Sequence, residues 1–205
     1  MVKSKAAQLE ATEYDVLQKD LAILRAMVDG MGGYLASDIT WWDMGQTDMP
    51  LLTIGGYLMR RRRLEAVNHL LYDAECDTLA EANATYDQIV SSQIVRFEER
   101  ALFELGTRMR EWTVYLRDLA VYRRLAADVE RYGFLADTRV VIGELVEKLS
   151  QSPFRLPEHI PADVASLDYR LKYRWTPGPF IWSPVWTTAY PQEIYWWLYG
   201  RPKAI

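Results

Sequence analysis

The chain has 205 residues, half of them hydrophobic and a quarter charged. That is enough to build a real core, and it excludes wholesale disorder. The net charge of −4 argues against a general nucleic-acid binder, which carries a basic excess.

Cys76 is the sole cysteine, so no intramolecular disulfide can form, and a reducing cytoplasm is the expected compartment. No apolar stretch follows the polar opening Met1-Val2-Lys3-Ser4-Lys5, so no secretory signal is expected. No apolar run approaches the ~20 residues a spanning helix needs, so no transmembrane segment is expected. All nine prolines lie at Pro50 or from Pro153 onward. The proline-free stretch from 51 to 152 favours long helices, because turns normally recruit proline.

In chain order, residues 5–29 read as a first helix. Leu9, Val16, Leu17, Leu21, Leu24 and Val28 form one stripe, with Glu10, Glu13, Asp20 and Arg25 among the polar remainder. Gly30, Gly32 and Gly33 are expected to end or bend it. Residues 37–48 read as a loop. Asp48 is the expected N-cap of a second helix over 49–71, with Pro50 in its first turn.

Residues 74–131 read as one very long helix or two collinear ones. Tyr86, Val90, Ile94, Phe97, Ala101, Leu105, Met109, Trp112, Leu116 and Leu119 recur at steps of three or four. That is an amphipathic helix, close enough to a heptad to suit coiled-coil packing. Gly133 is expected to close this element. A helix over 134–150 follows, and a short one over 161–173 starts on Pro161. From Thr176 onward little regular structure is expected.

The fold class is therefore all-α: a bundle of three to five helices, at least one of them long, with a non-helical, aromatic and Pro-rich C-terminal arm. The domain reading is a helical bundle over 1–168 and an arm over 169–205, packed on the bundle or on a partner subunit. A long helix cannot bury its whole stripe in a small monomer, so a homo-oligomer is expected, most simply a two-fold dimer.

Four features are candidates for function. The arm concentrates aromatic rings, among them Trp175, Phe180, Trp182, Trp186, Tyr190, Trp196, Trp197 and Tyr199. The prolines between them lower the entropic cost of ordering it. It reads either as a clasp over the helices or as a surface that recognises a partner protein or stacks on a small ligand.

Arg60-Arg61-Arg62-Arg63 spans a full helical turn, so its guanidiniums point all round. It reads as an anion site or as a face paired with carboxylates. Trp41 and Trp42 precede Gly55 and Gly56, and this group reads as a packing notch or, with Arg60, as a ligand notch.

Metal and catalytic chemistry are weakly signalled. Of the two histidines, neither His69 nor His159 stands three residues after a Glu, as a carboxylate-bridged site in a bundle requires. Glu65 and His69, four apart on one helix face, read as a salt-linked pair and only weakly as a ligand pair. Cys76 lies between acids that raise its pKa. Neither GxGxxG nor GxxxxGK[ST] occurs. No catalytic residue, metal or cofactor is expected.

The functional expectation is a structural or interaction protein: a self-associating bundle with an aromatic clasp. The alternative is a binding module for a partner protein or anionic ligand, acting through the arm or the Trp41–Arg60 notch. An enzyme with a site buried between helices ranks third.

Overall fold

The computed structural model describes residues 11–121 and 131–203. The expected Leu9 and Glu10 positions and residues 122–130 lie outside the described residues. Among the described residues six α-helices carry the body: α1 (Ala11–Ala36), α2 (Ile54–Ala66), α3 (Asp73–Ser92), α4 (Ile94–Val121), α5 (Tyr132–Leu149) and α6 (Ile160–Lys172). A 3-10 turn, Asn68–Leu70, follows α2. The C-terminal segment holds β1 (Trp175–Phe180), 3-10 turns Pro184–Ala189 and Trp196–Leu198, and β2 (Tyr199–Pro202). The all-α body with long helices and a non-α-helical aromatic end is thus observed. The chain divides into two compact units, Met1–Arg100 and Ala101–Ile205.

In the first unit, α1 buries Leu17, Leu21, Leu24, Met27, Val28, Met31 and Leu35 at helical spacing. It does not stop at the glycines as expected. It runs through Gly30, Gly32 and Gly33 to Ala36. The indole of Trp42 lies over this stretch, where a methyl on Gly30 or Gly33 would stand 3.9 or 3.7 Å from it. Ring packing outweighs the ~1 kcal/mol that each interior glycine costs.

The second helix also starts later than expected. Asp48 sits at φ 70 in a turn and is not a cap. Trp42 and Leu52 exchange backbone hydrogen bonds, at 3.2 and 2.8 Å, which commits Leu52 to extended backbone. The N-cap is Thr53, whose Oγ1 accepts from the Gly56 N–H at 3.0 Å.

The long stretch from 74 is two helices, which brings the number among the described residues to six. At the break, the hydroxyls of Ser91 and Ser92 donate back to the carbonyls of Gln88 and Ile89. Such bonds compete with the helical ladder, and Gln93 leaves helical geometry with φ −133 and ψ 39. Eight of the ten expected seam positions are in the core, Tyr86, Val90, Phe97, Ala101, Leu105, Trp112, Leu116 and Leu119, while Ile94 and Met109 are half-buried.

In the second unit, Gly133 stands in the first turn of α5 and does not close the preceding element. α6 begins as expected with Pro161 in its first turn. The arm is more regular than expected. β1 and β2 pair antiparallel, Trp175 with Pro202, Thr176 with Arg201, Pro177 with Gly200 and Phe180 with Tyr199. A bulge at Gly178-Pro179 separates the last two pairs. Both strands are edges, so prolines that cannot donate are tolerated.

Gly200 has φ 141, and a methyl there would come within 2.1 Å of the Thr176 carbonyl oxygen. Gly200→Ala is therefore expected to break the β1–β2 pairing. The check is amide hydrogen exchange, in which the amide N–H groups of this pair lose protection while those of α5 keep it.

Candidate functional site

The arm rings form one connected cluster inside the second unit. Centroid separations run 6.2 Å from Phe180 to Trp182, 5.3 Å on to Tyr190, 4.9 Å to Tyr195, 5.4 Å to Trp197 and 5.8 Å to Trp196. Trp196 meets Trp175 at 5.4 Å, and Trp175 meets Tyr132 of α5 at 5.5 Å. Tyr132 in turn approaches Trp112 and Tyr115 of α4. Most contacts are edge-to-face, the favoured geometry for aromatic pairs. Trp186, Tyr190, Tyr195 and Trp197 are buried, and Tyr199 stacks against Phe180 at 5.0 Å.

Several polar atoms of the arm and its surroundings are tied down as well. Tyr132 Oη donates to the Trp197 carbonyl at 2.8 Å, Trp182 Nε1 to the Gly133 carbonyl at 2.9 Å and Tyr199 Oη to the Tyr190 carbonyl at 2.8 Å. Burial pushes the Tyr132 phenol well above its ordinary pKa. Arg174 Nη1 and Nη2 donate to the Leu119 and Ala120 carbonyls near the end of α4. Both bonds are charge-assisted.

The centre of this cluster is a residue pair with no motif to announce it. Arg139 of α5 is 6% exposed and lies 4.0 Å over the Trp197 ring. Its Nε and Nη2 donate to the two carboxylate oxygens of Asp168 on α6, both at 2.7 Å. The bidentate geometry is the strong form of the pair, and the stacked guanidinium adds a cation–π contact. A basic residue between Ala136 and Ile142 on the buried face of α5 was the one sequence signal for it.

The arginine run is largely directed onto carboxylates. Arg60 Nε lies 3.4 Å from Asp20 Oδ1 and Arg63 Nη1 lies 3.5 Å from Asp20 Oδ2. Arg61 bonds Glu65 at 2.9 Å and Asp87 at 2.8 Å. Arg62 is half-buried. Asp20, grouped by sequence with the polar side of α1, is 8% exposed. Its position between Leu17 and Leu24 puts it on the apolar stripe, and that was the missed signal.

The notch residues part company. Gly55 and Gly56 are buried in α2, where a methyl on Gly56 would sit 2.9 Å from Thr53 Oγ1 and 3.5 Å from Met27 Cε. Gly56 serves the cap and the α1 contact. Trp41 and Trp42 are both half-buried, and Trp42 lies over the α1 glycines instead.

Trp42 also lines a cavity of about 660 Å³ in the first unit, bounded by α1, the 42–49 loop and the start of α3. Glu75 of α3 stands on its edge. Its Oε1 accepts from Tyr14 Oη at 2.5 Å and Gln18 Nε2 at 3.3 Å, and its Oε2 from the Tyr72 N–H at 2.9 Å. Burial raises the Glu75 pKa, but these three donors outweigh it and hold the carboxyl below its usual value. Tyr14 is pushed up to about 12, first by burial and then by its bond to Glu75.

The remaining titratable candidates stay apart. α2 ends at Ala66, so His69 falls in the following 3-10 turn, and Glu65 instead receives Arg61 and Asn83 Nδ2. His159 is exposed, with Nε2 4.0 Å from Asp163. Burial, followed by Asp73, Asp77 and Glu75, pushes the Cys76 thiol up. Among the described residues no group of three or more His, Cys, Asp or Glu side chains comes together as a metal ion would need. Among them, too, no helix is long and apolar enough to cross a membrane.

No protein-family model matches this chain, and neither a curated protein nor a solved structure matches it. The functional reading therefore rests on geometry.

Proposed function

We propose that the chain is a structural or interaction protein: a helical bundle that self-associates through the outer face of α4 and uses its aromatic C-terminal segment as an internal clasp. One observation carries the proposal. Opposite its buried seam, α4 bears a second apolar stripe. Phe103, Val114 and Val121 are 54, 45 and 64% exposed. At ~100° per residue their spacings bring all three within about 20° of one another around the helix.

Large exposed apolar side chains on one outer helix face, here 11 and 7 residues apart, can supply part of a helix–helix contact. The exposed Arg110 and Arg117 fall between these residues on the same helix face, about 20° and 40° from Phe103, so the contact combines apolar and charged groups. A homodimer pairing the two α4 helices is the simplest closed arrangement. The arm supports the clasp half of the reading, because its rings are already partnered within their own unit.

Light scattering is expected to give a dimer for the native chain and a monomer for the double variant Phe103→Glu, Val114→Glu, with helical circular dichroism unchanged. A native chain that stays monomeric throughout a concentration series overturns the proposal.

A second reading, a ligand-binding module, is favoured by the cavity at Trp42, whose lining includes Trp42 but neither Arg60 nor the α2 glycines of the expected notch.

A further inference from the structure

We propose that the cavity beside Trp42 in the first unit binds a small organic cation, an ammonium group carried on an apolar body. The inference deepens the ligand-binding reading of this region and does not depend on self-association through α4.

The cavity has the right size. At about 660 Å³ it lies inside the range of small-molecule sites. Its apolar lining comes from Leu21, Ala26, Trp42, Met44 and Met49. Such a wall takes the hydrocarbon part of a ligand, and an indole face attracts a cation more than the other aromatic rings do. Methionine thioethers adapt to ligands of differing shape.

The charge of the lining selects the sign of the ligand. Asp29, Asp43 and Glu75 contribute carboxylates, and Arg25 is the one basic lining residue. Arg25 is already engaged by Asp29 at 3.6 Å and Glu81 at 3.4 Å, so it offers little to an anion. The hydrogen bonds to Glu75 come from a phenol, an amide side chain and a backbone N–H, all neutral. It keeps its charge, and a carboxylate has room for one more donor. Asp43 Oδ1 accepts from the Gly45 N–H at 2.8 Å, which holds the exposed loop carboxylate in place. An anion would meet a net negative wall. A neutral ligand could donate to a carboxylate but would leave its charge uncompensated.

The probe is benzylammonium, titrated by calorimetry into the full chain at neutral pH, with benzenesulfonate and benzyl alcohol as anionic and neutral counterparts. The cation is expected to bind at least about tenfold more tightly than either counterpart. Glu75→Gln and Asp43→Asn keep an acceptor oxygen in place and remove the charge. Each is expected to weaken the cation about threefold or more and leave benzyl alcohol unchanged. Trp42→Leu is expected to weaken it about tenfold, with a thermal melt confirming that the variant is folded.

Equal affinity for benzenesulfonate overturns the proposal. So does cation binding that none of the three variants alters, or no detectable cation binding at all. Light scattering on the same samples keeps this result separate from the dimer question. Loss of the dimer with binding intact sinks the α4 proposal alone, and loss of binding with the dimer intact sinks this one.

Discussion

Trp197→Ala lowers the stability of the second unit by about 4 kcal/mol, inside the 3–5 kcal/mol range for truncating a buried tryptophan. The reason lies in what surrounds the ring. It is 4% exposed, it carries the Arg139 guanidinium on its face, and Tyr195 and Trp196 meet its edges. Truncation opens a void that the short 3-10 turn Trp196–Leu198 cannot close. It also strips the stacking partner from a buried cation. The Tyr132 bond to the Trp197 carbonyl survives, because it uses backbone, so the variant still folds.

Denaturant titration followed by circular dichroism measures the effect. The expected signature is a lower midpoint with an unchanged m-value. Tyr173→Ala is the control. Tyr173 is 81% exposed, and its removal is expected to cost no more than about 0.5 kcal/mol. If Trp197→Ala matched that control, the arm would not be a clasp.

Asp20→Ala destabilises the first unit by about 3 kcal/mol, at the low end of the 3–5 kcal/mol cost of breaking a buried ion pair. The carboxylate faces Arg60 and Arg63 from α2 on its two oxygens, so one truncation removes a counter-charge shared by two guanidiniums. Arg60 retains its bond to the Gly56 carbonyl at 3.1 Å, which tempers the loss. Asp20→Asn keeps the shape and one acceptor, and is expected to fall between Ala and the native residue. Chemical denaturation reads all three. An Asp20→Ala variant as stable as the native chain would mean that the run Arg60–Arg63 is held by its other contacts and that α1 contributes no electrostatic anchor to α2.

Much of the helical body was legible because periodicity is a local property. The stripe Leu17–Val28 and the seam Tyr86–Leu119 could be read directly, since a helix that packs on one side must repeat its apolar residues at its own pitch. The ends were less legible. Three glycines in α1 look like a terminus by propensity, and they continue as helix because Trp42, nine residues beyond Gly33, covers them. Thr53 was overlooked as a cap because the better-placed Asp48 and Pro50 precede it. The bridge between Trp42 and Leu52 decides between them, and no local rule anticipates that bridge.

The arm shows the same division. Its wealth of rings and prolines indicated an ordered segment, since such residues bury large areas at low entropic cost. Its pairing into two strands depended on Gly200 fitting where no side chain fits, and that requirement is set by the strand opposite.

From the amino-acid sequence alone came the class of the fold, the course of the long helices and the prominence of the aromatic segment, all properties of residues close together in the chain. Only the tertiary structure decided that the arm's rings are partnered by its own unit, that Asp20 gathers Arg60 and Arg63, and that Trp42 lines a cavity with Glu75. Each of these joins positions far apart in sequence, and which distant side chains meet is set by the summed packing of whole helices, a quantity that no short window of sequence contains.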